Sequence, residues 1–222
     1  MLYRCNKCNE DVSYKTGAKY CPMCGGELKR VNIENRIAEM YNAGNTAKQI
    51  ATELKVKDIL VSRTLSRAAA SGKISTDGLV QTEYEDTIKK IMDDNWDGKA
   101  KTIKNAVPAD CTYLTINYYV AKRRREETAN RYNMAISMIR KGTPIEEIAD
   151  ATKISPYNVE RVMVQEIGKD KAVANPYIDP AYKEQILAII NSGDWDGRLN
   201  TIKDKIPEAS YTCIKAVVAK NR

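Results

Sequence analysis

The sequence predicts a mostly α-helical chain in which a small N-terminal β unit precedes duplicated three-helix modules. Three observations carry that prediction. First, Gly44, Ile50, Ala51, Lys55, Val56, Val61, Arg63 and Leu65 recur 98 residues later as Gly142, Ile148, Ala149, Lys153, Ile154, Val159, Arg161 and Met163. The register slips by one at Trp96-Asp97-Gly98, matched by Trp195-Asp196-Gly197, and returns at Val120-Ala121-Lys122, matched by Val218-Ala219-Lys220. A period this long is too great for a solenoid unit and fits a duplicated domain or domain pair. Second, the apolar residues of each copy fall at helical spacing and stop at Gly and Asn. Third, the opening 30 residues lack that spacing and hold two close cysteine pairs. The expected segments are 1–30 for the β unit, 31–75 and 127–171 for the first module of each copy, and 83–126 and 178–222 for the second.

Composition narrows the function classes. With 36 Lys+Arg against 29 Asp+Glu the net charge is +7, distributed as +3 over 1–30, +3 over 31–126 and +1 over 127–222. This mild basic bias suits a nucleic-acid partner, though proteins without one share it. The chain has no histidine, which excludes a histidine general base, a histidine-metal nuclease site and a finger with two histidine ligands. No apolar run approaches the ~18 residues of a membrane span, and Met1-Leu2-Tyr3-Arg4-Cys5 carries no apolar signal region. The expectation is a soluble cytoplasmic protein with no membrane partner.

In the N-terminal unit, Cys5-Asn6-Lys7-Cys8 and Cys21-Pro22-Met23-Cys24-Gly25-Gly26 form two CxxC pairs separated by 12 residues. Two residues between thiolates let each pair close a knuckle, and two knuckles complete a tetrahedral four-sulfur shell with no open position. Gly25 and Gly26 supply a permissive backbone for the second turn. A redox motif would be a single pair ahead of a helix, and disulfides would require an oxidising compartment. The pattern therefore predicts one structural Zn²⁺ on Cys5, Cys8, Cys21 and Cys24. The segment resembles the zinc ribbons of transcription and nucleic-acid-processing proteins, which bind DNA, RNA or polymerase, or only stabilise a terminus. Cys111 and Cys213 occupy non-equivalent repeat positions and are expected as partly buried free thiols.

The first module of copy one reads as three helices. Ile33, Ile37, Met40 and Tyr41 make an apolar stripe ending at Asn42-Ala43-Gly44. Thr46 caps a helix over Ala47–Leu54, and a third helix from Asp58 buries Val61, Leu65 and Ala68. In copy two the stripe covers Met134–Ile139, Thr143 caps Pro144–Thr152, and Ser155-Pro156 opens a helix through Ile167. The ordered set Ile50, Ala51, Leu54, Val56 and Val61 resembles the DNA-binding helix-turn-helix of resolvase-like and sigma-factor-like regulators over about forty residues per copy. The resemblance implies that the exposed face of the last helix enters the major groove. Carried over, the base-reading positions are Lys57, Asp58, Ile59, Ser62 and Arg63 in copy one and Ser155, Tyr157, Glu160 and Arg161 in copy two. Arg63 and Arg161 are the shared guanine readers, while Lys57 and Arg67 are phosphate contacts. One departure is the turn position often held by glycine, here Lys55 and Lys153, which costs roughly 1–2 kcal/mol in a left-handed backbone.

The second module, with helix residues Ile88, Ile91 and Met92 in copy one and Ile186, Ile189 and Ile190 in copy two, runs into Asn95-Trp96-Asp97-Gly98 or its counterpart. A second helix covers Thr102 to Val107 and a third starts near Thr112. The two tryptophans are expected as core plugs under an Asp-Gly turn. Lys122-Arg123-Arg124-Arg125 is expected to end the third helix and clamp phosphates, whereas the second copy keeps only Lys220 and Arg222. Asp93-Asp94 and Asp97, with Asp194 and Asp196 in the second copy, are read as solvated helix-end acids rather than a metal site. Ser71–Gln81 reads as a linker or short hairpin and Ala172–Ala181 as a stiffer linker.

The function these features imply is a sequence-specific DNA-binding transcriptional regulator reading a bipartite site on double-stranded DNA. The unusual architecture points to a phage or other mobile element. Tethered copies would act as a pseudo-dimer within a monomer, or as a homodimer. The alternative is a zinc-ribbon interaction protein that grips RNA polymerase or another protein machine. With no phosphate loop, catalytic carboxylate cluster or activated nucleophile, enzyme activity is not expected.

Overall fold

A computed structural model of the chain describes residues 2–13, 17–94, 96–193 and 195–221. The expectations for Asn95, Asp194 and Arg222 lie outside these residues. The chain divides into two compact units, Met1–Arg125 and Glu126–Arg222, and is mostly helical.

In the first unit β1 (Leu2–Cys5) is the central strand of a three-stranded sheet, antiparallel to both β2 (Asp11–Ser13) and β3 (Leu28–Arg30). Cys5 lies opposite Leu28, and Tyr3 opposite Val12 and Arg30. Tyr3, Cys5, Cys21 and Leu28 form its small core. Three helices follow: α1 (Ile33–Asn42), α2 (Ala47–Leu54) and α3 (Asp58–Ala70). Asn32 caps α1 by accepting from the Glu34 and Asn35 amides. Thr46 and Gln49 form a reciprocal capping box on α2. Their core is Ile37, Met40, Ile50, Leu54, Val61 and Leu65.

Lys55 and Lys153 close α2 and its counterpart in the left-handed conformation, with φ of 52° and 56°, so the anticipated steric cost is present in both copies. Ser71–Gln81 is not a hairpin among the described residues. It is a chain of turns that buries Ile74 and Val80, because both side chains reach the adjoining cores.

The second module comprises a 3₁₀ turn at Thr82–Tyr84, then α4 (Glu85–Asp93), α5 (Ala100–Ala106) and α6 (Tyr113–Arg140) around Ile88, Ile103 and Ile116. The expectation that the basic run ends a helix is corrected here. Nothing between Arg125 and Arg140 breaks a helix, so α6 continues to Arg140 and includes the apolar stripe expected to open copy two. The division between the units falls within it.

In the second unit α7 (Ile145–Thr152) and α8 (Pro156–Lys169) follow. Pro144 rather than Thr143 occupies the cap position of α7. The expected linker at 172–181 is also corrected. Residues Lys171–Tyr177 form a 3₁₀ segment that buries Val173, Ala174 and Tyr177, with the Tyr177 hydroxyl donating to the Ile139 and Thr143 carbonyls at 3.0 Å each. Pro176 packs on Gly142, where an added Cβ would lie 2.6 Å from the Pro176 Cβ. Pro180 opens α9 (Pro180–Asn191), and α10 (Leu199–Lys205) and α11 (Tyr211–Lys220) complete the unit around Ile186, Ile202 and Ile214.

The tryptophan turns are the same in both copies. The Trp96 indole N–H donates to the Lys99 carbonyl at 2.8 Å and that of Trp195 to Arg198 at 2.9 Å. Each ring is half-buried against its module core. The Lys99 and Arg198 amides hold the Asp97 and Asp196 carboxylates below their ordinary pKa range. Cys111 and Cys213 are fully rather than partly buried and free. Burial pushes both thiols up.

Candidate metal centre and nucleic-acid interface

The β1–β2 turn delivers Cys5 and Cys8, and the loop before β3 delivers Cys21 and Cys24. All four sulfurs lie within 4.8 Å of one another. Cys5 and Cys24 Sγ are 3.4 Å apart, Cys8 and Cys21 Sγ 3.9 Å. A tetrahedral shell with metal–sulfur bonds of ~2.3 Å has edges of ~3.8 Å, so the donor set fits a four-coordinate thiolate metal. Among the described residues no other group of metal-ligating side chains is so arranged. The second knuckle is closed by the Cys21 amide donating to the Gly26 carbonyl at 2.7 Å and the Gly25 amide to Cys21 at 2.9 Å. A Cβ on Gly26 would stand 2.7 Å from Cys5 Sγ and 2.6 Å from Lys7 Cβ, so only glycine lets the two knuckles approach.

The Cys8 amide, with help from that of Lys7, draws the Cys5 thiol down to about 6. Cys8 is favoured as a thiolate by the Glu10 amide, yet burial and the neighbouring sulfurs push it up to about 12. Four sulfurs this close cannot all ionise without a cation among them.

The metal unit is tied to the first helical module through Asp11. Its carboxylate receives Arg4 at 2.9 Å and Arg36 of α1 at 2.8 Å. Burial opposes the Asp11 charge, but the two guanidiniums prevail and hold its pKa below the ordinary range.

A groove of about 550 Å³ lies in the first unit, between α3 and α6. Arg63 and Arg67 line it from α3, Arg124 and Arg125 from α6, and among the described residues no carboxylate joins them. The two arginine pairs are about sixty residues apart in sequence, and the fold gathers them. Arg63 and Arg125 make no ion pair among the described residues. Arg67 meets Glu34 at 3.2 Å in an exposed pair. Arg124 donates to the Gly98 carbonyl at 3.0 Å and stands 6.0 Å from the centre of the Trp96 ring. The basic run is thereby divided. Lys122 lies 3.8 Å from Glu85 and Arg123 2.9 Å from Asp93, so only its second half faces the groove.

At the start of α3, Lys57, Asp58 and Ile59 are exposed. Ser62 is half-buried, one turn before the fully buried Ser66, whose hydroxyl donates to the Ser62 and Leu114 carbonyls at 2.8 and 3.0 Å. That edge of α3 packs on the beginning of α6 rather than facing outward.

In the second unit Arg161, Ser155 and Tyr157 are exposed, Tyr157 by 70 %. The Ser155 Oγ accepts from Asn158 at 3.0 Å. Glu160 departs from its expected outward position. Its carboxylate accepts from Thr212 at 2.8 Å and pairs with Lys215 at 2.5 Å, both on α11. The same ammonium stands 5.6 Å from the centre of the Tyr157 ring. Sequence reading missed Lys215 because its partner lies 55 residues away, on another helix.

A family model described as a helix-turn-helix domain matches the chain twice, over residues 35–120 and 131–218. Each match spans both three-helix modules of its copy. No match was found among curated proteins or among solved structures.

Proposed function

The chain belongs to the helix-turn-helix domain family, and from that membership we propose a sequence-specific DNA-binding transcriptional regulator that reads a bipartite site, one half per copy. The repeated domain itself points to DNA binding and to a role other than catalysis. The observation that carries the proposal is the groove in which Arg63 and Arg67 of α3 meet Arg124 and Arg125 of α6, with no carboxylate among its described lining residues. In this reading Arg63 and Arg161 take guanine edges. Lys57, Arg67, Arg124 and Arg125 take phosphates, which position the duplex without reading it. Ser155 and Tyr157 contribute in the second copy, while Ser62 and Glu160 support their helices from within. The four thiolates hold one Zn²⁺, closed and structural, which fixes the ribbon against α1.

The test is selection from a random duplex-DNA pool with the full-length, metal-loaded protein, followed by affinity against salt. Enrichment of a bipartite motif is expected, with log K falling linearly in log salt. Arg63→Ala should cost about 1–3 kcal/mol at one base position. Arg125→Ala should weaken all sequences alike and reduce the salt slope by about one. An unenriched pool with binding erased at moderate salt would overturn DNA reading and leave the polymerase-binding alternative.

A further inference from the structure

Beside the arginine groove, and sharing Arg67 and Arg125 with it, lies a second hollow of about 210 Å³. It is lined also by Asn35, Thr64 and Lys73, with Glu34 as the single carboxylate among the described residues. Thr64 is 3 % exposed, and its hydroxyl has no hydrogen-bond partner among the described residues. Threonines within helices ordinarily return the hydroxyl to the carbonyl one turn back. In this chain Thr52 does so with Lys48 at 3.0 Å and Thr152 with Ile148 at 2.6 Å. Thr64 does not.

The duplication supplies an internal control. The residue 98 positions after Thr64 is Val162, 6 % exposed and part of the second unit's core. Valine has the shape of threonine without the hydroxyl, so packing at this place asks for a β-branched side chain and nothing more. A buried hydroxyl with no partner is a standing cost to folding. Two other liners change in the same direction, while Asn35 and Lys73 are kept as Asn133 and Lys171 and Ser71 becomes Lys169. Arg67 becomes Gln165, and Ala68 becomes Glu166, whose buried carboxylate is held by Arg140 and Lys169 at 2.6 Å each.

We propose that the hollow in the first unit is a seat for a phosphate group, and that the second copy lacks it. Two guanidiniums, an ammonium and a waiting hydroxyl offer donors to several oxygens of one compact anion. That matches a phosphate better than a flat carboxylate. The phosphate is either one of the DNA backbone or that of a free phosphorylated small molecule. Only the first source rests on the proposed DNA reading.

Thr64→Val separates the sources in the full-length, metal-loaded protein. Binding of inorganic phosphate is measured by calorimetry at constant ionic strength, binding of the selected duplex by fluorescence anisotropy, and Tm by thermal unfolding. Tm is expected to rise, since a buried orphan is removed, while phosphate or duplex affinity falls at least fivefold. A fall in duplex affinity assigns the seat to a backbone phosphate. A fall in phosphate affinity alone assigns it to a free ligand. If both affinities are unchanged, the proposal is overturned. Absence of any duplex binding, with phosphate binding lost in Thr64→Val, would sink the DNA reading and leave the seat standing. Val162→Thr should lower Tm without creating a phosphate site.

Discussion

Lys55 and Lys153 show what a single residue can cost. Each holds a left-handed backbone at a helix end, and the following amide completes the closure, Val56 donating to the Ala51 carbonyl at 3.0 Å. Glycine adopts this conformation freely. Lys153→Gly is therefore expected to stabilise the chain by about 1 kcal/mol, read as a shift in urea midpoint with an unchanged slope. This position was legible in the sequence, since the turn type and the missing glycine are local facts. The orientation of Glu160 was not, because it depends on Thr212 and Lys215. Local spacing predicts a helix face but not which long-range partner will claim it.

Among the elements, α8 and the C-terminal turn of α6 meet around Glu166. Lys169 lowers the pKa of this carboxyl most, burial opposes, and Arg140 adds to the lowering. A depressed carboxyl contributes stability that is present above its unfolded pKa and lost as pH falls through the folded value. Glu166→Gln should thus cost about 1–3 kcal/mol at neutral pH. The Tm difference from wild type should begin to shrink as pH falls below about 4 and vanish only below the lowered folded value, where both proteins carry an uncharged group; a difference independent of pH would refute the ion-pair account. Gly142→Ala should be damaging too, as the new methyl would strike Pro176. The helix start at Ala47 was readable from its Thr46 cap, and those at Ala47 and Asp58 alike from apolar spacing. The length of α6 was not, since the repeat boundary suggested a break and no Gly or Pro between Arg125 and Arg140 supplies one. Likewise, prolines at 176 and 180 resemble a linker in sequence, yet Tyr177 anchors that segment to a core.

For the whole molecule, the metal unit and the helical units should part ways under a chelator. Removing the ion leaves four thiols with no reason to converge, so the strands should melt while the far-UV helical signal stays nearly constant. One zinc per chain should be released; a collapse of the helical signal would mean the ribbon carries far more of the fold than its small core suggests. The four-cysteine pattern was fully legible, because two knuckles are local. The arginine groove was only half so: the cations were identifiable, but their meeting required α3 and α6 to pack. That meeting also builds an optical gauge into the protein. The chain has two tryptophans, and the Arg124 guanidinium hovers over Trp96. A polyanion that draws Arg124 away should recolour that indole's emission. A Trp195→Tyr variant would then report occupancy of the groove by its own light, with no dye attached.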